Sequence, residues 1–316
     1  MKAETKGVAT LLGEPKRAIL RISGPMMLGM FMQAIYNVAD GFWVAGLGAD
    51  QLAAIGLFFP FFMIIIALGA GIGVGGSSAI SRRIGERNKK EADNAAVLTL
   101  LIGFLIAILV SFPLFPFLDQ IFIAISNSES IGSLAADYAR ILFGGSVVLI
   151  FFQIGNAILR GEGDARRAMY ALILGSLLNI ALDPLFIYGF NMGVIGAAWA
   201  TLFAFIISSL LVLYWLFVKK NTYVEIRFKS LHFDKKMINE ILEVGIPASL
   251  AQLSMSVAMV FLNKVIALAG GTDGVAVFTS GWRIVMLGSI PLIGMATGVT
   301  AVTGAAFGAR DKEKLK

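Results

Sequence analysis

The chain has 316 residues, 58% hydrophobic and 15% charged, with a net charge of +6 and a mean hydropathy of +0.83. A soluble domain carries roughly 25% charged residues, so this composition excludes a soluble fold and specifies an integral membrane protein. Cysteine is absent, which rules out disulfide frameworks, thiolate metal sites and cysteine nucleophiles.

A membrane helix needs roughly 20 predominantly apolar residues. Eight segments meet that length, at 21–47, 53–80, 95–117, 137–159, 168–189, 194–218, 243–268 and 275–306, so the fold expected is all-α. The first is too long for a signal-peptide core of about 7 to 15 residues and is expected to remain in the protein. It holds "FMQAIYNVADGFWVAGL", in which Asp40 is the sole acid. A carboxylate in hydrocarbon costs about 3 kcal/mol or more, which makes an intramembrane acid a functional candidate by default. Gln33, Tyr36, Asn37 and Asp40 recur at helical spacing and form one polar stripe, suited to lining a cavity. Pro25 lacks a backbone donor and is expected to kink this helix as a hinge.

The second segment contains "GIGVGG", Gly71 to Gly76, a formal match to the dinucleotide fingerprint. It sits inside an apolar helix with no strand before it, so it reads as close helix packing through Gly69 with Gly73 and Gly71 with Gly75. Beyond the third segment, "LDQIFIAISNSESIGSLAAD" carries acids and no base. The fourth segment contributes Gln153 and Asn156 as further cavity candidates. In the fifth, Asn179 and Asp183 are four residues apart and share a helix face. Thr201 lies in the sixth.

Depth connects these positions. At 1.5 Å per residue, Asp40, Asp183 and Thr201 all lie roughly 9–10 Å from one end of their helices. Two carboxylates, an amide carbonyl and a hydroxyl are hard oxygen ligands, suited to a hard cation such as Na+ by analogy with other oxygen-ligated ions. Two acids sharing such a site are equally suited to carrying a proton. In the eighth segment Arg283 needs a cavity or a partner, whereas Lys264, near the end of the seventh, can snorkel.

Basic residues accumulate in cytoplasmic loops. With the N-terminus inside, 23 of the 26 Lys and Arg residues fall on the inner side and no outer loop has one. The N-terminus is therefore expected to be cytoplasmic, the protein to be multi-pass in the plasma membrane, and the positive charge to require no nucleic-acid partner. No Ser/His/Asp set, zinc motif or P-loop is present, so neither an enzyme nor an ATP-driven pump is expected.

An internal repeat sets the architecture. Pro25 aligns with Pro247 at an offset of 222, and after a one-residue shift "IGERNKKEA" from Ile84 aligns with "FGARDKEKL" from Phe307. Both copies start on the inside, as in two-lobed transporters. The organisation expected is a six-helix N-lobe over 1–218, a basic cytoplasmic linker over 219–242, and a partial C-lobe over 243–316 with helices seven and eight. The second copy stops after two of its six helices, so the remaining C-lobe helices are expected from a longer product or, failing that, from a partner.

The stretch "LRGEGDARRAMYALILGSLLNIALDPLFIYGFNMGVIGAAWAT", Leu159 to Thr201, resembles the multidrug and toxic compound extrusion (MATE) transporters. It joins a Gly-Asp inner loop to a helix ending Asn-x-x-x-Asp-Pro and then to Gly-x-x-Gly-Ala-Ala-x-Ala-Thr. Asp40 and the "RRIGERNKKEA" loop fit as well. The resemblance implies secondary multidrug efflux by H+ or Na+ antiport, with Asp40, Asn179, Asp183 and Thr201 holding the cation and small amphipathic or cationic organic compounds as substrates. It implies no cofactor beyond the coupling ion, and bending of helix one linked to the acidic site. The alternatives are a lipid-linked saccharide flippase of the same superfamily, which favours basic residues in its cavity, and a non-transporting fragment.

Overall fold

Five helices begin where a side-chain oxygen takes a free backbone N–H: Thr5 for Val8, Asn88 for Glu91, Ser128 for Ile131, Asp164 for Arg167 and Asp234 for Lys236. The structure, a computed structural model, describes residues 5–126, 128–219, 221–226 and 231–315, without the side chains of 260, 263, 264, 267, 270–276, 279, 280 and 283. The side chains of Lys264 and Arg283 thus lie outside the described residues.

In chain order the helices are α1 (Lys6–Leu11), α2 (Pro15–Ala45), α3 (Ala49–Gly85), α4 (Lys89–Leu114), α5 (Leu118–Ser126), α6 (Glu129–Gly144), α7 (Ser146–Gly161), α8 (Ala165–Pro184), α9 (Gly193–Leu213), α10 (Lys235–Gly308) and α11 (Lys312–Leu315). Wide π-helical turns extend α8 over Leu185–Gly189 and α9 over Tyr214–Val218. Among the described residues seven helical stretches are long and apolar enough to cross a membrane, and the bent pair α6 and α7 makes an eighth.

Two boundaries differ from expectation. The fourth span is two helices meeting at 50°, where the sequence pattern suggested one helix over 137–159. The break falls at Gly144–Gly145, where Leu202 of α9 occupies the space a side chain would take: a Cβ on Gly145 would lie 3.0 Å from Leu202 Cδ2. The acidic stretch 118–137 is largely helical, and Arg140 pairs there with Asp119 and, at 2.6 Å, with Asp137.

Both ends of α10 reach one end of α3. Arg83 pairs with Glu240 at 2.9 Å, and the Arg82 guanidinium lies 5.1 Å from the centre of the Phe307 ring. A straight helix of 74 residues would extend about 110 Å, so the chain folds back between its two apolar stretches, Lys235–Met259 and Ile284–Gly308. The first begins eight residues before the expected 243, because Asp234 caps it by accepting from the Lys236 amide at 2.8 Å.

The repeat is visible in the backbone. Arg87 and Arg310 both have φ of 55°, left-handed and unusual for a non-glycine residue. Each follows a helix ending in glycine, Gly85 or Gly308, and each precedes a cap, with Asn88 accepting from Glu91 N and Asp311 from Lys314 N.

The glycines of α3 contact neighbouring helices in three directions. Methyl groups added at Gly69 and Gly73 would meet Gln153 and Ala157 of α7. At Gly71 and Gly75 they would meet the backbone of Gly245 and neighbouring residues of α10, and at Gly76 the side chain of Thr99 on α4. The motif serves close packing, as its place inside an apolar helix implies.

Candidate cation site

Three helices bring polar groups together toward the end of the bundle away from the basic loops. Asp183 of α8 is fully buried, and Asn179, one turn earlier on the same face, is buried beside it. The Asn179 side-chain amide donates to the Thr201 hydroxyl on α9 at 3.1 Å. Asp40 of α2 lies close enough to Asp183 for one shared proton to hydrogen-bond the two carboxyls. Tyr36, one turn before Asp40, lies within hydrogen-bonding distance of Thr201 and within electrostatic range of both acids.

The valences at this centre are incomplete. Neither carboxylate oxygen of Asp183 accepts from a donor among the described residues, and the Asn179 carbonyl oxygen is likewise unmatched. Buried oxygens of this kind carry a large desolvation cost unless a proton or cation satisfies them. The donor set fits a small hard cation: two carboxylates, an amide oxygen and a hydroxyl.

The remaining sequence candidates divide. Gln33 and Tyr36 line a cavity with Phe152, Ser176, Asn179 and Phe205, and Tyr36 and Asn179 each stand one helical turn from an acid, Asp40 and Asp183. Asn37 is exposed on α2. Gln153 packs against Gly69. Asn156 lies outside the cavity and ties helices together, donating to the Ala168 carbonyl at 3.2 Å and accepting from Arg160 at 3.0 Å. Pro25 interrupts the hydrogen bonding of a continuous α2. Its neighbours face α10, where Gly298 abuts Ser23 and Ile19, and Gly294 abuts Met27.

Sequence reasoning missed Tyr138. It is buried on α6, packs edge-on against Phe58 at 5.3 Å, and lies within electrostatic range of Asp40, Tyr36 and Asp183. It missed Glu162 as well, a buried acid in the loop after α7 whose carboxylate accepts from the Val224 amide at 2.9 Å. Burial pushes the Glu162 carboxyl up to about 8, with Asp164 adding repulsion against the opposing pull of Arg167 and the amide bonds. Alongside it, Asp93 accepts from Glu225 N at 2.7 Å, and Asn94 exchanges hydrogen bonds with the His232 backbone. The segment after α9 is thereby fastened to the ends of α4 and α7.

The sequence profile of the MatE family matches residues 25–185 and 247–316. The chain belongs to the MatE family. The two matched segments of this MatE chain begin at Pro25 and Pro247, the prolines paired by the 222-residue repeat offset. The multidrug export protein MepA of Staphylococcus aureus is 28% identical over 95% of the chain. A crystal structure of a MATE protein in complex with MaL6 is 54% identical over 98% of the chain, with a TM-score of 0.97. A MOP-superfamily transporter from Pyrococcus furiosus, described as having a binding pocket of reverse polarity, is also 54% identical, with a TM-score of 0.95. The chain spans 66% of the length of MepA and 69% and 70% of the two solved chains.

Proposed function

We propose that this MatE chain forms part of a secondary multidrug exporter, in which H+ or Na+ bound among Asp40, Asn179, Asp183 and Thr201 drives the exit of small amphipathic or cationic organic compounds. Gln33 and Tyr36 line the adjoining substrate cavity and Pro25 serves as the hinge of helix one. Residues 1–218 act as one lobe, 219–242 as a cytoplasmic linker, and 243–316 as the start of the second lobe, with the N-terminus inside the plasma membrane. Transport proceeds by alternating access of the two lobes.

One observation carries the reading: among the described residues the buried carboxylate and amide oxygens of Asp183 and Asn179, one turn apart on α8, have no donor, beside a second intramembrane acid and an apolar-walled cavity. Such oxygens favour an occupant whose loading and release alter the energetics of the helices that hold it. The relatives named as multidrug export and MATE proteins support the substrate class. The test is efflux of a fluorescent organic cation from proteoliposomes by a transporter containing this chain, driven by an imposed H+ or Na+ gradient. Asp40→Asn is expected to abolish gradient-driven efflux while membrane insertion and thermal stability persist. Wild-type efflux from the substituted protein overturns the assignment.

A further inference from the structure

The last two turns of α2, which carry Asp40, are open on one side: Val38 is 59% and Phe42 71% exposed, while Val44 on the other side is buried. Among the described residues, and apart from the contact between the two acids, one hydrogen bond reaches these turns from another helix. The Tyr188 hydroxyl donates to the Trp43 carbonyl at 2.6 Å, and the two rings meet edge-on at 6.3 Å. Trp43 lies three residues after Asp40, and Tyr188 five after Asp183.

Local chemistry explains how Tyr188 gets there. Pro184 ends the regular hydrogen bonding of α8, and the wide turn Leu185–Gly189 redirects the following side chains. Gly46 completes the fit, because a Cβ there would collide with the Tyr188 hydroxyl. The Trp43 carbonyl is one of the free carbonyls at a helix C-terminus and is shared with the Gly46 amide at 3.3 Å.

We propose that Tyr188 is a positioning residue for the Asp40 and Asp183 site: its hydroxyl fixes the end of helix one so that Asp40 faces Asp183. This rests on the shared-cation reading of the site. Freed of Tyr188, the α2 terminus swings on its exposed turns, and the oxygens contributed by Asp40 no longer stay in register with those of Asp183 and Asn179. The titratable groups around the pair are Tyr36 on α2, Tyr138 on α6 and the two acids themselves, and the substitutions below alter none of them.

The experiment places an environment-sensitive fluorophore on Val38→Cys, the sole thiol in an otherwise cysteine-free chain. The 316-residue chain in lipid nanodiscs is titrated with H+ in Na+-free buffer and with Na+ at fixed pH. Tyr188→Phe keeps the ring and loses the hydroxyl, and Gly46→Ala displaces that hydroxyl from the other side. Both are expected to move the half-change cation concentration about two- to tenfold, the equivalent of one hydrogen bond at about 1.4 kcal/mol per tenfold. Tyr214→Phe, an exposed tyrosine on the turn after α9, is expected to leave it unmoved. Wild-type midpoints in Tyr188→Phe overturn the positioning role. A wild-type titration in Asp40→Asn overturns the site reading itself, whereas loss of titration there with no movement in Tyr188→Phe overturns the positioning role alone.

Discussion

The side-chain amide of Asn179 is committed to Thr201 at 3.1 Å, which leaves its buried carbonyl oxygen, one helical turn from Asp183, without a donor among the described residues. One residue thus joins α8 to α9 and supplies an oxygen to the candidate site. Asn179→Ala is expected to remove both, costing about 1 kcal/mol of stability for the hydrogen bond and about tenfold in cation affinity for the lost ligand. Thermal melts with and without Na+, repeated at low and high pH, separate the two effects. Unchanged cation-dependent stabilisation refutes the ligand role.

Two glycine classes give opposite expectations. Gly75→Ala drives a methyl group to 3.0 Å from the Gly245 amide nitrogen on α10, where backbone has no easy retreat. A loss of about 1–3 kcal/mol is expected. Gly56→Ala meets no atom within 4 Å and sits inside α3, so a gain of about 0.5–1 kcal/mol follows from helix propensity. Paired detergent melts check both signs.

Glu162 predicts a pH dependence. A carboxyl raised on folding from 4.5 to about 8 by burial binds its proton more tightly in the folded state. Folded stability therefore falls as pH climbs from about 4.5 to about 8 and levels off above, by roughly a few kcal/mol in all. Glu162→Gln keeps an acceptor for the Val224 amide and is expected to flatten this slope. Melting temperatures measured between pH 5 and 9 decide it, and an identical slope in both proteins rules it out.

The eight apolar spans were legible in sequence because hydrocarbon admits few residue types, and Asp40 and Asp183 stood out for the same reason. Asn179 and Thr201 followed from a four-residue spacing and a depth match. Tyr138 did not stand out, since a tyrosine among apolar residues gives no sign of which acids it will face. The 50° break at Gly144–Gly145 depends on Leu202, some sixty residues away, and so has no local signature. Asn156, a cavity candidate in sequence, bonds the Ala168 carbonyl of α8, a role the sequence could not single out because an intramembrane amide suits helix bonding and cavity lining equally well.

Orientation is testable with single cysteines. Substitutions at Lys90 and Lys236, both exposed at the basic end, are expected to react with membrane-impermeant maleimide only from the cytoplasm, and one at Glu129 only from outside. The opposite pattern would invert the proposed direction of the site's access.

The glycines of α3 leave this helix little freedom to diverge. A side chain in contact with another side chain can change if its partner changes too, and compensating pairs can drift together over time. At Gly75 the opposing surface is itself main chain, and at Gly71 main chain lies beside the Ser249 hydroxyl; no substitution in α10 can trim that backbone away. With α7 and α4 pressed as closely on the other two faces, α3 is the stretch where coordinated change is least available. Among proteins of this architecture it should age most slowly, while the lipid-facing phenylalanines around it turn over freely.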